Sequence, residues 1–250
     1  MKAVFLDLVG TLVKGKSMKP FEGAVEQFNL LKSRTHVCII TNNTTDTPDN
    51  LRKKLLKEGF DLDGVVLLSP LTVLRELLKG LKGGIYYIGS EAVFSIIREV
   101  GKEISEDAEI VVVGLDLSLT YEKLTKATNL ILSGAEFIGL HSNRLFLMEP
   151  GKIGPSVGAT IAFLEYATSK KARIIGKPEK EFFRTGLSLL GIEPEDVVVV
   201  GDDPISEVSA PQAMGMKAIF VRSGKYKECP DFVSPYRVYE NFTDIEWNDL

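Results

Sequence analysis

The sequence lacks the features that mark several large classes of protein. No run of about 18 or more apolar residues occurs, so nothing in it reads as a membrane span. Cysteine is scarce. Cys38 and Cys229 allow one disulfide at most, and Cys38 lies in an apolar run where it reads as a small core residue. That usage favours a reduced, cytoplasmic protein. There is no Cys/His cluster at zinc spacing and no Gly-x-Ser-x-Gly elbow for acyl transfer. Positive charge is not in excess: 30 Lys+Arg against 34 Asp+Glu give a formal charge of −4. The broad basic field of a nucleic-acid binder is therefore missing, although a local basic pocket for a phosphate is compatible with that balance. The N-terminus meets a carboxylate, Asp7, too early for the apolar region of a signal peptide. Low-complexity tracts and short repeats are absent as well.

What is present is 250 residues, 44% hydrophobic and 26% charged, enough for a substantial core in one large domain or two small ones. Short apolar runs recur, each ending in polar or glycine-rich residues. Ala3-Val4-Phe5-Leu6 leads into Asp7, and His36-Val37-Cys38-Ile39-Ile40 into Thr41-Asn42-Asn43. Arg173-Ile174-Ile175 leads into Gly176-Lys177-Pro178, the run ending at Val200 into Gly201-Asp202-Asp203, and Ala218-Ile219-Phe220-Val221 into Arg222. The runs do not alternate, which suits strands buried on both faces of a parallel sheet.

Helical patterns separate the runs. One opens at Pro48, turns Leu51, Leu55 and Leu56 inward and stops at Gly59. Another opens at Pro178, buries Phe182, Phe183, Leu187 and Leu190 and ends at Gly191. The alternation predicts an α/β fold: a Rossmann-like, doubly wound parallel sheet with ligands beyond the carboxyl ends of its strands. Residues 74–172 repeat a smaller α/β pattern, with strands at Ile85–Ile88 and Ile110–Val113 and a helix over Tyr121–Ser133. The expected plan is a discontinuous core, 1–73 and 173–250, with an inserted α/β cap domain at 74–172.

Asp7, Thr41, Lys177 and Asp202 all fall at predicted strand ends. A carboxylate at such a position can attack phosphorus and form an aspartyl-phosphate. The attack needs a cation between the two anions, and Asp202 is a natural second ligand for Mg²⁺. Lys177 would balance charge on the phosphoryl oxygens, and Thr41 with nearby N–H groups would donate to them. Taken singly, each is an ordinary turn or surface residue. The inference rests on all four occurring in order.

With these residues in place, the sequence resembles the haloacid dehalogenase-like hydrolase superfamily over nearly its whole length. Asp7-Leu8-Val9-Gly10-Thr11-Leu12 resembles the first motif, Thr41-Asn42-Asn43 the second, Gly176-Lys177-Pro178 the third and Gly201-Asp202-Asp203 the fourth. The second motif looks like that of the class typified by the phosphatase of the N-acetylglucosamine operon. The stretches Gly158–Ala167 and Gly201-Asp202-Asp203 look most like the branch of phospholysine phosphohistidine inorganic pyrophosphate phosphatase. The resemblance implies Asp7 as nucleophile and Thr41, Asn42, Asn43 and Lys177 at the phosphate. It implies Mg²⁺ on Asp7, Asp202 and the backbone carbonyl of Val9, with Asp203 and Glu207 in support. His141 and Asn143 lie where related caps contact substrate; a structural histidine and a turn asparagine are the plainer readings. The implied partners are a small phosphorylated substrate and a second copy of the chain paired through the cap.

The sequence departs from the family pattern at three points. Most phosphatases of the superfamily carry a second aspartate two residues after the nucleophile, as proton donor and base. Here that residue is Val9. Losing such a group costs about 10²–10⁴ in rate, or roughly 3–5 kcal/mol of barrier. The expected substrates are therefore those with good leaving groups: phosphoramidates, pyrophosphate, aryl or acyl phosphates. Glu207 stands where the class usually has aspartate, long enough to reach a metal-bound water or Lys177. Pro211 disturbs a helix unless it lies in the first turn. Two rival readings follow from Val9: a phosphate-binding protein that has lost catalysis, and a dehalogenase.

Overall fold

The apolar runs form strands, but not all in one sheet. The structure, a computed structural model, describes residues 1–149 and 152–247. In chain order the strands are β1 (Ala3–Asp7), β2 (Val13–Lys14), β3 (Lys19–Pro20), β4 (His36–Ile40), β5 (Val66–Leu68), β6 (Ile85–Ile88) and β7 (Ile110–Val113). They continue as β8 (Glu136–Gly139), β9 (Leu145–Glu149), β10 (Lys152–Pro155), β11 (Arg173–Ile174), β12 (Val197–Gly201), β13 (Lys217–Val221) and β14 (Arg237–Tyr239). The helices are α1 (Ala24–Lys32), α2 (Pro48–Lys57), α3 (Pro70–Gly80), α4 (Glu91–Glu99), α5 (Tyr121–Leu132), α6 (Val157–Thr168), α7 (Lys180–Leu190) and α8 (Ala210–Gln212).

The contacts divide the chain into two units. The first is Met1–Thr41, Pro48–Leu68 and Lys177–Leu250; the second is Asn42–Thr47 and Ser69–Gly176. The first unit holds a six-stranded parallel sheet in the order β14-β13-β12-β1-β4-β5. β1 is central, with Phe5 opposite Val199 on one side and Cys38 on the other. All five of its residues are buried, which explains why the run is apolar without alternation. Its side chains still alternate in direction. Val4 and Leu6 join the cluster with Phe28, Leu31, Leu51, Leu55 and Phe60. Phe5 points the other way, against Gly186 of α7. Phe28 and Phe60 meet edge to face at 5.2 Å, a geometry worth about 0.5–1.5 kcal/mol beyond burial.

The second unit holds a four-stranded parallel sheet, β11-β8-β7-β6, and an antiparallel β9-β10 hairpin. α5 and α6 pack over a core of Ile88, Val111, Val113, Ala127, Ile131, Phe137 and Ile161. The expected strands Ile85–Ile88 and Ile110–Val113 and the expected helix after Thr120 are all here.

Three sequence expectations are corrected. Arg173–Ile174 is not a strand of the first sheet: it pairs with Ile138 and Gly139 of β8, and Ile174 packs into the second unit's core. Its two paired residues are too few for the sequence to reveal which sheet they join. Leu56 does not face inward; it is 51% exposed, because five residues after Leu51 it lies about 140° around the helix. Pro178 precedes rather than opens its helix, which starts at Lys180 after the cap residue Glu179. Gly191 ends that helix as expected, in the left-handed region at φ 64°, donating to the carbonyls of Leu187 and Ser188.

Gly186 is where α7 approaches the sheet. A Cβ there would fall 2.8 Å from Leu68 Cδ2 and 2.9 Å from Phe5 Cε2. Gly186→Val is expected to lower stability by about 1–3 kcal/mol through overpacking, read as a lower urea midpoint. Leu56→Lys, on the exposed face of α2, stays within about 0.5 kcal/mol of the parent. A Gly186→Val midpoint equal to the parent's contradicts the packing described.

Candidate active site

The order of the six-stranded sheet places the site. From β1 the chain builds outward through β4 and β5, then returns to lay down β12, β13 and β14 on the opposite side. The reversal falls between β1 and β12, where such sheets open a crevice beyond their carboxyl ends. Asp7 is the last residue of β1, and Asp202 follows the last residue of β12. Two carboxylates therefore come from neighbouring strand ends. Thr41 follows β4, is buried, and donates its N–H to Leu68 O at 3.0 Å.

Lys177 arrives from the loop before α7. Its Nζ donates to Asp7 Oδ1 at 2.5 Å and to Glu207 Oε1 at 2.8 Å, and all three side chains are buried. Glu207 lies on a π-helical turn, Pro204–Ser209. Its other oxygen accepts from the Asp203 N–H at 2.8 Å, so both carboxylate oxygens are engaged. The extra methylene is accommodated at Gly201, where a Cβ would fall 2.2 Å from Glu207 Oε2. Asp203 turns away to cap the same turn, accepting from the N–H groups of Ile205 and Ser206 at 3.0 Å. Pro211 stands in the first turn of α8, where its missing donor does no harm.

Asp202 is gripped by backbone. The Lys225 N–H donates to its Oδ2 at 2.5 Å. Gly10, with φ +101°, and Gly224 pass so close that a Cβ would lie 2.8 Å and 2.1 Å from the carboxylate. Ser223 Oγ donates to Gly10 O at 2.6 Å and ties the two loops together. The sequence reading assigned no role to Ser223, Gly224 or Lys225. A serine and a glycine after a buried strand are ordinary turn residues until the fold sets them against Asp202. Thr11 is also more than the turn former it resembles in sequence: it is buried, and its hydroxyl has no partner.

One ammonium here faces three carboxylates. Oxygens of Asp7, Asp202 and Glu207 lie within 4.8 Å of one another. Burial, with Asp202 nearby, pushes Asp7 up to about 6 despite Lys177. Burial and Glu207 raise Asp202 to about 6, and burial and Asp7 raise Glu207 to about 7. Burial alone would lower Lys177, but Asp7 and Glu207 outweigh it and hold the ammonium above its ordinary value. Asp7 Oδ2 is buried with no hydrogen-bond partner. An orphaned carboxylate oxygen beside a second carboxylate is the donor set a hard divalent cation takes. Asp7 and Asp202 fit such an ion; Glu207, with both oxygens occupied, fits the task of holding Lys177.

Val9 is 43% exposed and carries no titratable group. Asn42 and Asn43 group with the second unit. Asn43 Oδ1 accepts from the N–H groups of Thr45 and Asp46 at 2.9 Å, so it shapes its own turn. His141 is buried, and burial depresses it to about 4, leaving the ring neutral at physiological pH. Its Nδ1 accepts from the Asn143 N–H at 3.3 Å, which puts the ring proton on Nε2. Asn143 is exposed.

The chain is similar to known proteins of one family. A family model described as haloacid dehalogenase-like hydrolase matches residues 4–103, and a second, HAD-hydrolase-like, matches residues 174–245. The chain is 33% identical over 248 residues to human haloacid dehalogenase-like hydrolase domain-containing protein 2, covering 97% of this chain and 93% of that one. It is 30% identical to an acid sugar phosphatase of Staphylococcus epidermidis, covering 89% of this chain and 87% of that one. A solved structure of a hypothetical protein from Pyrococcus horikoshii matches with a TM-score of 0.88 at 32% identity, over 98% of each chain.

The raised carboxyls give a signed pH dependence. Unfolded, they titrate near 4; folded, they keep their protons up to about 6 or 7. Between those values the folded state binds more protons, so the stability these groups confer is present at acid pH and lost as pH rises through the folded values. In chelator, Asp202→Asn is expected to lose less melting temperature between pH 5 and pH 7.5 than the parent. Equal losses contradict the assignment.

Proposed function

The chain belongs to the haloacid dehalogenase-like hydrolase family, and we propose that it is a Mg²⁺-dependent phosphohydrolase working through a phospho-Asp7 intermediate. The observation that carries this reading is the state of Asp7. One oxygen is neutralised by Lys177, and the other is buried, unpartnered and beside Asp202 at the turning point of the sheet.

In this reading Asp7, Asp202 and the Val9 carbonyl would hold the ion, whose charge would screen the attacking carboxylate from the phosphoryl oxygens. Asp7 is the nucleophile. Lys177 holds Asp7 by Oδ1 and opposes the charge that spreads over the phosphoryl group. Glu207 acts as a positioning residue that keeps the ammonium in place. Thr41 donates to a phosphoryl oxygen from the neighbouring strand end.

Val9 sets the substrate range. A valine side chain transfers no proton, so an alkoxide has to leave unassisted. Substrates whose leaving group is acidic or already protonated avoid the penalty of about 10²–10⁴. The reading favours small phosphoramidates, pyrophosphate, aryl and acyl phosphates, as in the phospholysine phosphohistidine inorganic pyrophosphate phosphatase branch. The acidic cluster argues for phosphoryl rather than carbon–halogen chemistry. A phosphate-binding protein without turnover is the second reading, and Val9 is the observation that favours it.

Phosphate release from an aryl phosphate and from pyrophosphate separates these readings. Activity is expected with Mg²⁺, to vanish in chelator, and to fall by about 10³-fold or more in Asp7→Asn. Activity that survives either treatment sinks the mechanism, and ligand-induced stabilisation without any turnover supports the second reading. Val9→Asp is expected to raise alkyl-phosphate hydrolysis by about 10²-fold. No gain in a folded variant means that proton transfer is not what limits that reaction.

A further inference from the structure

The second unit has a recess of about 600 Å³ at the outer edge of its four-stranded sheet. β6 is the terminal strand there, and the ladder on its outer side is begun but not continued. Backbone groups of a strand point alternately to its two sides. Toward β7, Gly84 O accepts from the Ile110 N–H at 3.2 Å and Ile88 O from the Gly114 N–H at 2.6 Å. Ile85 faces outward. Its N–H donates to Glu103 O at 2.8 Å, and its carbonyl accepts from the Ser105 N–H at 3.0 Å. Tyr87 is the next residue of β6 on that side. After Ser105 the chain turns away, and Ser105 Oγ accepts from the Asp107 N–H at 3.1 Å. The Tyr87 N–H and carbonyl therefore meet no partner among the described residues, at the place where the recess opens. An open strand edge is a template for an added strand.

The walls say what kind of strand fits. Tyr86 and Tyr87 stand on opposite faces of β6. Tyr86 is on the α5 side, where its hydroxyl donates to Lys123 O at 3.4 Å. Three acids of the lining, Glu106, Asp116 and Glu122, stand against two cations, Lys123 and Lys126. Lys123 is paired with Asp116 at 2.7 Å, and Lys126 with Glu106 at 3.4 Å. Glu122 has no counter-charge among the described residues. Burial, then the field of Glu106, Glu122 and Asp116, holds the Tyr86 phenol above its usual value. The α5 side is thus negative in excess. The other face is apolar: Ile104 pairs with Ile85, which puts its side chain on the Tyr87 face.

We propose that the outer edge of β6 binds an extended peptide segment of a partner protein as an added strand. Its basic side chains would lie toward α5 and alternate with apolar ones toward Tyr87 and Ile104. Backbone bonds to Tyr87 would hold the segment, and the charge of the α5 wall would select it. This surface is independent of the phosphohydrolase reading.

The test measures fluorescence anisotropy with the whole chain and a labelled short peptide that alternates lysine and valine. The peptide is expected to bind, and to bind less as salt is added. A counterpart with glutamate for lysine, and free butylamine, should not compete with it. Glu122→Gln should weaken binding about threefold, and Lys126→Ala, which frees Glu106, should strengthen it about threefold. Glu122 is exposed, so its variant is expected to fold, and opposite signs from two changes on one helix are not a misfolding effect. Methylating alternate backbone nitrogens of the peptide should weaken binding about tenfold in the register that meets Tyr87. Deuterium exchange of the Tyr87 N–H should slow in the complex. No binding of the basic peptide overturns the proposal, as does unchanged exchange at Tyr87. Equal binding of the acidic peptide overturns the charge selection, and butylamine that competes as well as the peptide makes the recess a small-amine site instead.

Discussion

The buried ammonium of Lys177 is the interaction on which the site depends. Three carboxylates cannot share a desolvated corner without a counter-charge, since each ion taken from water costs several kcal/mol before pairing. Lys177 bonds to two of them, Asp7 and Glu207, and favours the charged form of the third, Asp202, by its field alone. Removing it would leave Asp7 and Glu207 as unpaired buried charges, a situation resolved by protonation or local unfolding rather than by a quiet loss of one contact. The pairing proposed to serve catalysis is thus also what makes the crevice electrostatically tolerable.

Around that pair the chain uses small residues to bring charge close. Gly10, Gly201 and Gly224 each stand where a Cβ would strike a carboxylate. The glycines let Asp202 sit against backbone on two sides and let the longer Glu207 fold back over β12. The substitution of glutamate for the aspartate usual in this class is therefore not a loss of function by reach. The side chain still meets Lys177 at 2.8 Å, and the π-helical turn beneath it supplies an N–H for its second oxygen.

Much of this was legible in the sequence, for a physical reason. Strands buried on both faces must be continuous apolar runs, so β1, β4, β12 and β13 announce themselves. The residues after them fall at the carboxyl ends, where parallel sheets bind ligands. Asp7, Thr41 and Asp202 could be placed that way. Lys177 was found by the right rule applied to the wrong strand. The run before it belongs to the other unit's sheet, and two paired residues carry no signature of which partner they choose. The backbone donor of Lys225 and the hydroxyl of Ser223 were invisible because a backbone N–H has no letter and a turn serine has many uses. The outward turn of Leu56 was readable from helical angle alone, and the pull of a neighbouring leucine obscured it.

The spacing of the contacts has a consequence for how the protein is made. Lys177 lies 170 positions after the carboxylate it neutralises, and β12 must dock beside β1 before Asp202 has a place. A nascent chain that has not yet reached Lys177 holds β1, β4 and β5 but neither the cation nor the second acid. Asp7 must then stay hydrated, and the open edge of β1 must wait for its neighbour. The charged corner thus comes into being only once β12 has docked beside β1, so that its electrostatic balance is a product of long-range folding and not of any local segment.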